Sequence, residues 1–316
     1  MTETIELSAG SARVVIAPSV GGSISAFEYA SQAILRPTPD TAIAEGAVRQ
    51  FACFPLIPFS NRIADASLQW AGRQYGLMRA VDAEPHAIHG NGWQRQWSVT
   101  QRQASHLTID LEHDAIGDRA REWPFPYRAQ QRFDLAADGR GARLDLVLEI
   151  ENTGSLPFPF GLGWHPYFDR DGETELGFAA GDVWHTGPSR LAVRLQKVPP
   201  EWNFDPPRPI GDSVLDNCFV GWRPPALVRW PRRKLTAMLA ADPICRYLVV
   251  YVPSDPRGAM PFFALEPVTH MTDAFNRAEQ GDTGTRVLAP GASFSCTMSI
   301  SVAPTSERDL RRIDLA

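Results

Sequence analysis

Positive charge is scarce in this chain. Its 31 Lys and Arg are outnumbered by 36 Asp and Glu, for a formal charge of −5. A nucleic-acid or anionic-membrane surface needs clustered Lys and Arg, so neither partner is expected. The nearest basic run, residues 229–234 (RWPRRK), reads as a solvated turn. Long apolar runs are missing too: no window approaches the roughly 18 consecutive apolar residues of a membrane span. The opening residues, MTETIELSAG, lack the basic-then-apolar order of a secretory signal. Cysteine is sparse, and Cys53, Cys218, Cys245 and Cys296 lie far apart. They match neither zinc-ligand pairs nor a disulfide framework, so buried reduced thiols in a cytoplasmic protein are expected. Walker loop, G-x-S-x-G elbow and dinucleotide-binding glycine motif are all absent. His86 and His89 form H-x-x-H with no third ligand nearby, so neither a metal nor any other cofactor is expected.

What the chain does have is punctuation and a period of two. Its 24 Gly and 27 Pro leave few stretches where a long helix could run. Residues 293–302 (SFSCTMSISV) alternate apolar with Ser and Thr, the pattern of a strand with one buried face. Residues 144–150 (LDLVLEI) do the same, with Val147 breaking the polar side. Residues 107–112 and 191–195 repeat the idea more briefly. Residues 247–252 (YLVVYV) are continuously apolar, as in a strand covered on both faces. The one helical stripe, 306–315, is short and charged. Together these features predict an all-β protein, a large antiparallel sandwich with few short helices. Residues 199–209 (PPEWNFDPPRP) form a Pro-rich loop resembling a linker. Composition does not change after it, so one domain over residues 1–316 is expected.

Five local strings mix polar groups with aromatics, Gly or Pro: FSNRI at 59–63, HAIHGNGWQRQW at 86–97, GLGWHPYF at 161–168, LDNCFVGW at 215–222, and ALEPVTHMTDAFN at 264–276. Sugar sites combine aromatic faces with planar polar groups that read hydroxyls, and nine Trp make the first half available. In content and chain order these strings resemble the signature segments of the aldose 1-epimerase (galactose mutarotase-like) family. The resemblance implies a large β-sandwich with an open cleft, no metal, and a free aldose as substrate. It further implies His165 as general acid, Glu266 as general base and His89 as a second active-site histidine. Asn61, Arg62, Tyr167 and Asp216 are implied as substrate-binding residues. At one position the chain departs from the pattern: Val249 stands where many members have Gln, which bears on the substrate rather than the reaction.

The chemistry suits these residues. Interconverting anomers needs a proton taken from the anomeric hydroxyl while another is delivered to the ring oxygen, so one positioned acid and one base suffice. Glu266 follows an apolar FFAL run, where a carboxylate is costly unless paired or used. Pro166 and Pro267 hold the residue before each of them in extended backbone. His86 and His270 read as supporting residues, and His106, His113 and His185 as surface ones. Two other readings compete. A sugar-phosphate epimerase would need basic residues at the cleft rim, for which Arg36, Arg73, Arg79 and Arg95 are available. A noncatalytic carbohydrate-binding or regulatory protein would need neither acid nor base. A glycoside hydrolase or lyase is weaker still, lacking a fitting carboxylate pair.

Overall fold

In the computed structural model the described residues are 2–81, 83–255, 258–277, 279 and 281–305. The expected stripe at 306–315 lies outside them. Strand accounts for 53% of the structure and helix for 10%. Among the described residues the longest helix is the six-residue Asp40–Glu45, and no helix is long and apolar enough to cross a membrane.

Two large antiparallel sheets dominate. The first has nine strands, ordered Ser98–Arg102, His106–His113, Tyr127–Asp138, Gly141–Asn152, Ser293–Pro304, Leu235–Ala241, Arg223–Trp230, Glu175–Ala179 and Phe204–Pro209. The period-two segments sit at its centre. Leu144, Leu146, Leu148 and Ile150 face inward, in register with Ile300, Met298, Cys296 and Phe294 of the neighbouring strand. Opposite apolar pairs of this kind stabilise a sheet by about 0.2–1 kcal/mol each. In the second sheet Ala192–Lys197, Asp182–Thr186, Leu215–Val220, Tyr247–Val252 and Phe262–Val268 follow in order, then Gly163–Trp164 and Pro55–Leu56. Tyr167–Asp169 also pairs with Phe262–Val268. Tyr247–Val252 runs through the middle, which accounts for its unbroken apolar sequence. The inward residues of both sheets belong to one hydrophobic cluster. All four cysteines are buried and free.

Three local expectations are corrected. Alternation at 191–195 suggested that Leu191, Val193 and Leu195 face inward. Instead Val193 and Leu195 are 58% and 46% exposed and Ala192 is buried, because Ala192–Lys197 is the sheet's edge strand. The Pro-rich segment contains the strand Phe204–Pro209, which pairs with Glu175–Ala179 at the edge of the nine-stranded sheet. Proline is tolerated there because an edge strand has no partner on its outer side. The basic run is only partly solvated. Pro231–Arg233 is a turn, and Arg232 is exposed, but Trp230 and Arg229 are buried, and Arg229 pairs with the half-buried Glu175 at 2.7 Å.

Gly161 shows how tightly the strings of the second sheet approach one another. A Cβ there would lie 1.9 Å from Cδ2 of His270. That ring cannot retreat, since Nε2 accepts from the Ser60 backbone N–H at 3.0 Å and Nδ1 bonds the Met271 carbonyl at 2.8 Å. Gly161→Ala is therefore expected to cost about 1–3 kcal/mol by overpacking. Urea unfolding monitored by Trp fluorescence would read this as a lowered midpoint; an unchanged midpoint would refute the packing account.

Candidate active site

Strand register assembles the site. Gly163 pairs with Val268 and Tyr167 with Ala264, so the intervening His165 stands opposite Glu266. On the other flank Gly163 pairs with Leu56, and the His165 N–H donates to the Phe54 carbonyl at 3.0 Å. Beyond Glu266 the register continues to Val249 and Cys218. One row across the sheet thus reads Cys218, Val249, Glu266, His165, Phe54. The next row on the same face reads Asp216, Tyr251, Ala264, Tyr167. Because paired residues project to one side, both rows face the same space. That space is an open cleft of about 1440 Å³, lined by both rows' polar members and by Asn61, Arg62 and His89.

At its base His165 Nε2 lies 3.2 Å from Glu266 Oε1, both side chains buried. Tyr167 Oη is 3.4 Å from the same nitrogen, and its ring stacks on the imidazole at 4.3 Å. Phe54 also packs against the imidazole, at 4.8 Å. Burial pushes the Glu266 carboxyl well above its usual range, helped by Asp216 and opposed by Arg62. Burial also holds His165 well below 6.5, reinforced by His89 and Arg36. Both groups are driven toward their neutral forms.

His89 approaches from a second segment. Arg62–Ile63 pairs with Ala87–Ile88, and just outside this ladder Asn61 and His89 both adopt left-handed backbone, at φ 53° and 63°. The Asn61 N–H donates to His89 Nδ1 at 3.1 Å, and the His89 N–H donates to the Asn61 carbonyl at 2.9 Å. Nδ1 is therefore an acceptor, which fixes the neutral tautomer with its proton on Nε2. Burial, Arg62 and Arg49 all keep this imidazole uncharged. The glycine that follows is obligatory: a Cβ on Gly90 would lie 2.0 Å from the Ile57 carbonyl oxygen.

Arg62 is held from three sides. Its Nε bonds Glu84 at 3.3 Å, Nη1 lies 3.3 Å from the Asn61 side-chain oxygen, and Asp216 is 3.7 Å away. Burial raises the Asp216 carboxyl, against the opposing pull of Arg62. Among the described residues, no three His, Cys, Asp or Glu side chains group as a metal-binding set.

A family model described as aldose 1-epimerase matches residues 3–301. The chain belongs to the aldose 1-epimerase family. The Escherichia coli K12 protein YphB, itself uncharacterised, is 33% identical over 300 residues, covering 94% of this chain and 97% of its own. The crystal structure of a candidate aldose 1-epimerase from Escherichia coli K12 superposes with a TM-score of 0.85 at 31% identity, covering 95% of this chain and 98% of that one. A galactose mutarotase-like protein from Clostridium acetobutylicum shares the fold at a TM-score of 0.83 and 16% identity, over 96% of this chain and 95% of that one.

All seven residues singled out from the family strings line this one cleft. Sequence reasoning missed others. Glu84, 6% exposed, anchors Arg62 from a segment with no motif to mark it. Tyr251 was findable, since a strand that turns Val249 toward the cleft must turn Tyr251 there too. His113, expected at the surface, is 3% exposed and stacks on Tyr127, with Nε2 bonded to the Trp123 carbonyl. Of the four arginines considered for a phosphate, Arg36 lines the cleft, Arg79 and Arg95 line a separate hollow, and Arg73 is exposed on a hairpin.

The buried histidines make stability pH-dependent. His270 is lowered to about 4 by burial, against an ordinary 6.5. Below pH 6.5 the unfolded chain takes up a proton that the folded chain refuses, so stability falls as pH drops toward 4. The full effect is roughly 3 kcal/mol. Urea midpoints for His270→Gln should vary less between pH 7 and pH 4 than those of the wild type; equal slopes would refute the assignment.

Proposed function

We propose that this protein is an aldose 1-epimerase that interconverts the α and β anomers of an aldopyranose, with Glu266 as base and His165 as acid. The observation that carries this reading is the 3.2 Å pairing of Glu266 with His165 at the base of an open cleft lined by polar side chains. Glu266 takes the proton from the anomeric hydroxyl and His165 gives one to the ring oxygen. The bond between C1 and the ring oxygen breaks, leaving an open-chain aldehyde. Rotation about C1–C2 turns the other face of the carbonyl toward the C5 hydroxyl. On reclosure His165 recovers its proton from that hydroxyl, Glu266 returns one to the carbonyl oxygen, and the enzyme is unchanged.

Burial works with the uphill half of this cycle. Ring opening converts a carboxylate and an imidazolium into a carboxylic acid and a neutral imidazole, the forms a desolvated site favours. The aldehyde, much less stable than the ring, is formed together with the more comfortable protonation state. Closure is downhill for the sugar and regenerates the charged pair. Arg62 and Asp216 hold ring hydroxyls through charge-assisted bonds, Asn61 adds its amide, and the Tyr167 hydroxyl steadies His165. His89, with its proton fixed on Nε2, donates to a substrate oxygen without competing as an acid. We further propose that the chain acts as one domain, in keeping with its single continuous core, and in the cytoplasm, in keeping with four buried thiols.

Polarimetry on freshly dissolved α-D-glucose, α-D-galactose and L-arabinose tests the reading. Each of Glu266→Gln and His165→Asn should lower kcat by about 10²–10⁴-fold with little change in KM. Sugar binding without acceleration in the wild type, for these aldoses and for sugar phosphates alike, would replace the epimerase by a noncatalytic sugar-binding protein.

A further inference from the structure

The cations lining the cleft fall into two sets. Arg62 and Arg190 are compensated, the first by Glu84 and Asp216, the second by Glu84 at 3.8 Å. Arg36 and Arg49, on the side of His165 and Tyr167, have no carboxylate partner among the described residues. Arg36 lies 3.7 Å over the Tyr167 ring and 4.4 Å over Phe262, and its Nη2 bonds the carbonyls of Phe51 and Arg49 at 2.7 and 3.0 Å. Arg49, on the short turn Val48–Gln50, is exposed to the cleft and makes no side-chain hydrogen bond among the described residues. Its charge is felt at His89, His165, Tyr167 and Tyr251. Acidic side chains are not in short supply, since this chain is net negative and surface arginines such as Arg13, Arg143 and Arg232 all have partners. Two uncompensated guanidinium groups on one wall of a cleft repel each other and attract an anion.

Substrate geometry says where that anion sits. If Glu266 faces the anomeric hydroxyl, His165 faces the ring oxygen, which is bonded to C1 and C5. The substituent nearest His165 on the side away from C1 is therefore C6, carried by C5. We infer that Arg36 and Arg49 form a seat for an anionic group at C6, so that the substrate is a hexopyranose bearing a carboxylate or a phosphate there. The inference rests on the anomer interconversion proposed above. It also answers an electrostatic difficulty. Arg36 and Arg49 both disfavour the protonated imidazole that ring opening needs. An anion on the seat offsets them, so the charged substrate helps to protonate its own acid, whereas a neutral aldose does not.

Methyl glycosides cannot open their rings, so they read the seat apart from the reaction. Calorimetric titration with methyl α-D-glucopyranoside, its 6-phosphate and methyl α-D-glucopyranosiduronate should show at least one anion binding about tenfold or more tighter than the neutral glycoside. Comparing the two anions distinguishes phosphate from carboxylate. Arg49→Gln, an exposed change that removes no internal hydrogen bond, should cut that preference by about fivefold or more, and ~1 M salt should weaken it in the wild type. Equal affinity for neutral and anionic glycosides, no binding of either anion, or a preference that survives Arg49→Gln would overturn the seat. Proton-exchange NMR of glucose 6-phosphate and glucuronate anomers completes the test. Anion-selective binding without faster exchange would keep the seat and sink the reaction.

Discussion

The site depends on a single cross-strand register, the one that sets His165 opposite Glu266. Gly163 and Tyr167 anchor it on one side of His165 and the other, while Pro166 and Pro267 deprive the ladder of two N–H donors beside the pair. The strand around His165 is thereby interrupted without being displaced. A slip of one residue by the Phe262–Val268 strand would turn Glu266 to the opposite face. Glu266 and His165 would then no longer meet, so the register is under one constraint shared by packing and the proposed chemistry.

Around this pair the protein keeps two kinds of polar group. The first is neutral and fixed. His89 is held by the Asn61 N–H and His270 by the Ser60 N–H and the Met271 carbonyl, each in one tautomer and each kept from protonation by burial. The second is charged and cross-braced, with Arg62 held among Glu84, Asn61 and Asp216. Buried charge is costly unless paired and hydrogen-bonded. Glu84 meets that requirement for Arg62, leaving Asp216, the more exposed partner, able to face a ligand. His165 and Glu266, the proposed acid and base, belong to neither kind, since one proton between them can sit on either.

Much of this was legible in the sequence. Alternation in 144–150 and 293–302 marked the central strands because there one face meets the core and the other does not. Alternation failed at 191–195, where the edge strand leaves Val193 and Leu195 in solvent. Pro206 and Pro207 hid a strand whose outer side needs no donors. The seven cleft residues were legible through a resemblance between strings, and register explains why strings so far apart belong together. Glu84 and Arg49 were not legible, because their positions come from tertiary packing of loops that carry no pattern, and Arg36 stood out only as one of four arginines available for a cleft rim. His113 was misjudged for the same reason. Its polar neighbours in sequence say nothing of Tyr127 stacking on it from the adjacent strand.

The row proposed to carry the chemistry joins Phe54, His165, Val249 and Glu266, whose strands are far apart in the chain. Such pairings are dominated by contacts remote in sequence, which slows folding because loop closure must precede the contacts that reward it. A chain emerging from the ribosome cannot complete this row until the Phe262–Val268 strand has appeared. Until then the strands that will flank it have open edges, ready to pair wrongly. The Phe262–Val268 strand thus brings to this row both the missing hydrogen bonds and the proposed base, and neither the sheet nor the cleft is complete before it arrives.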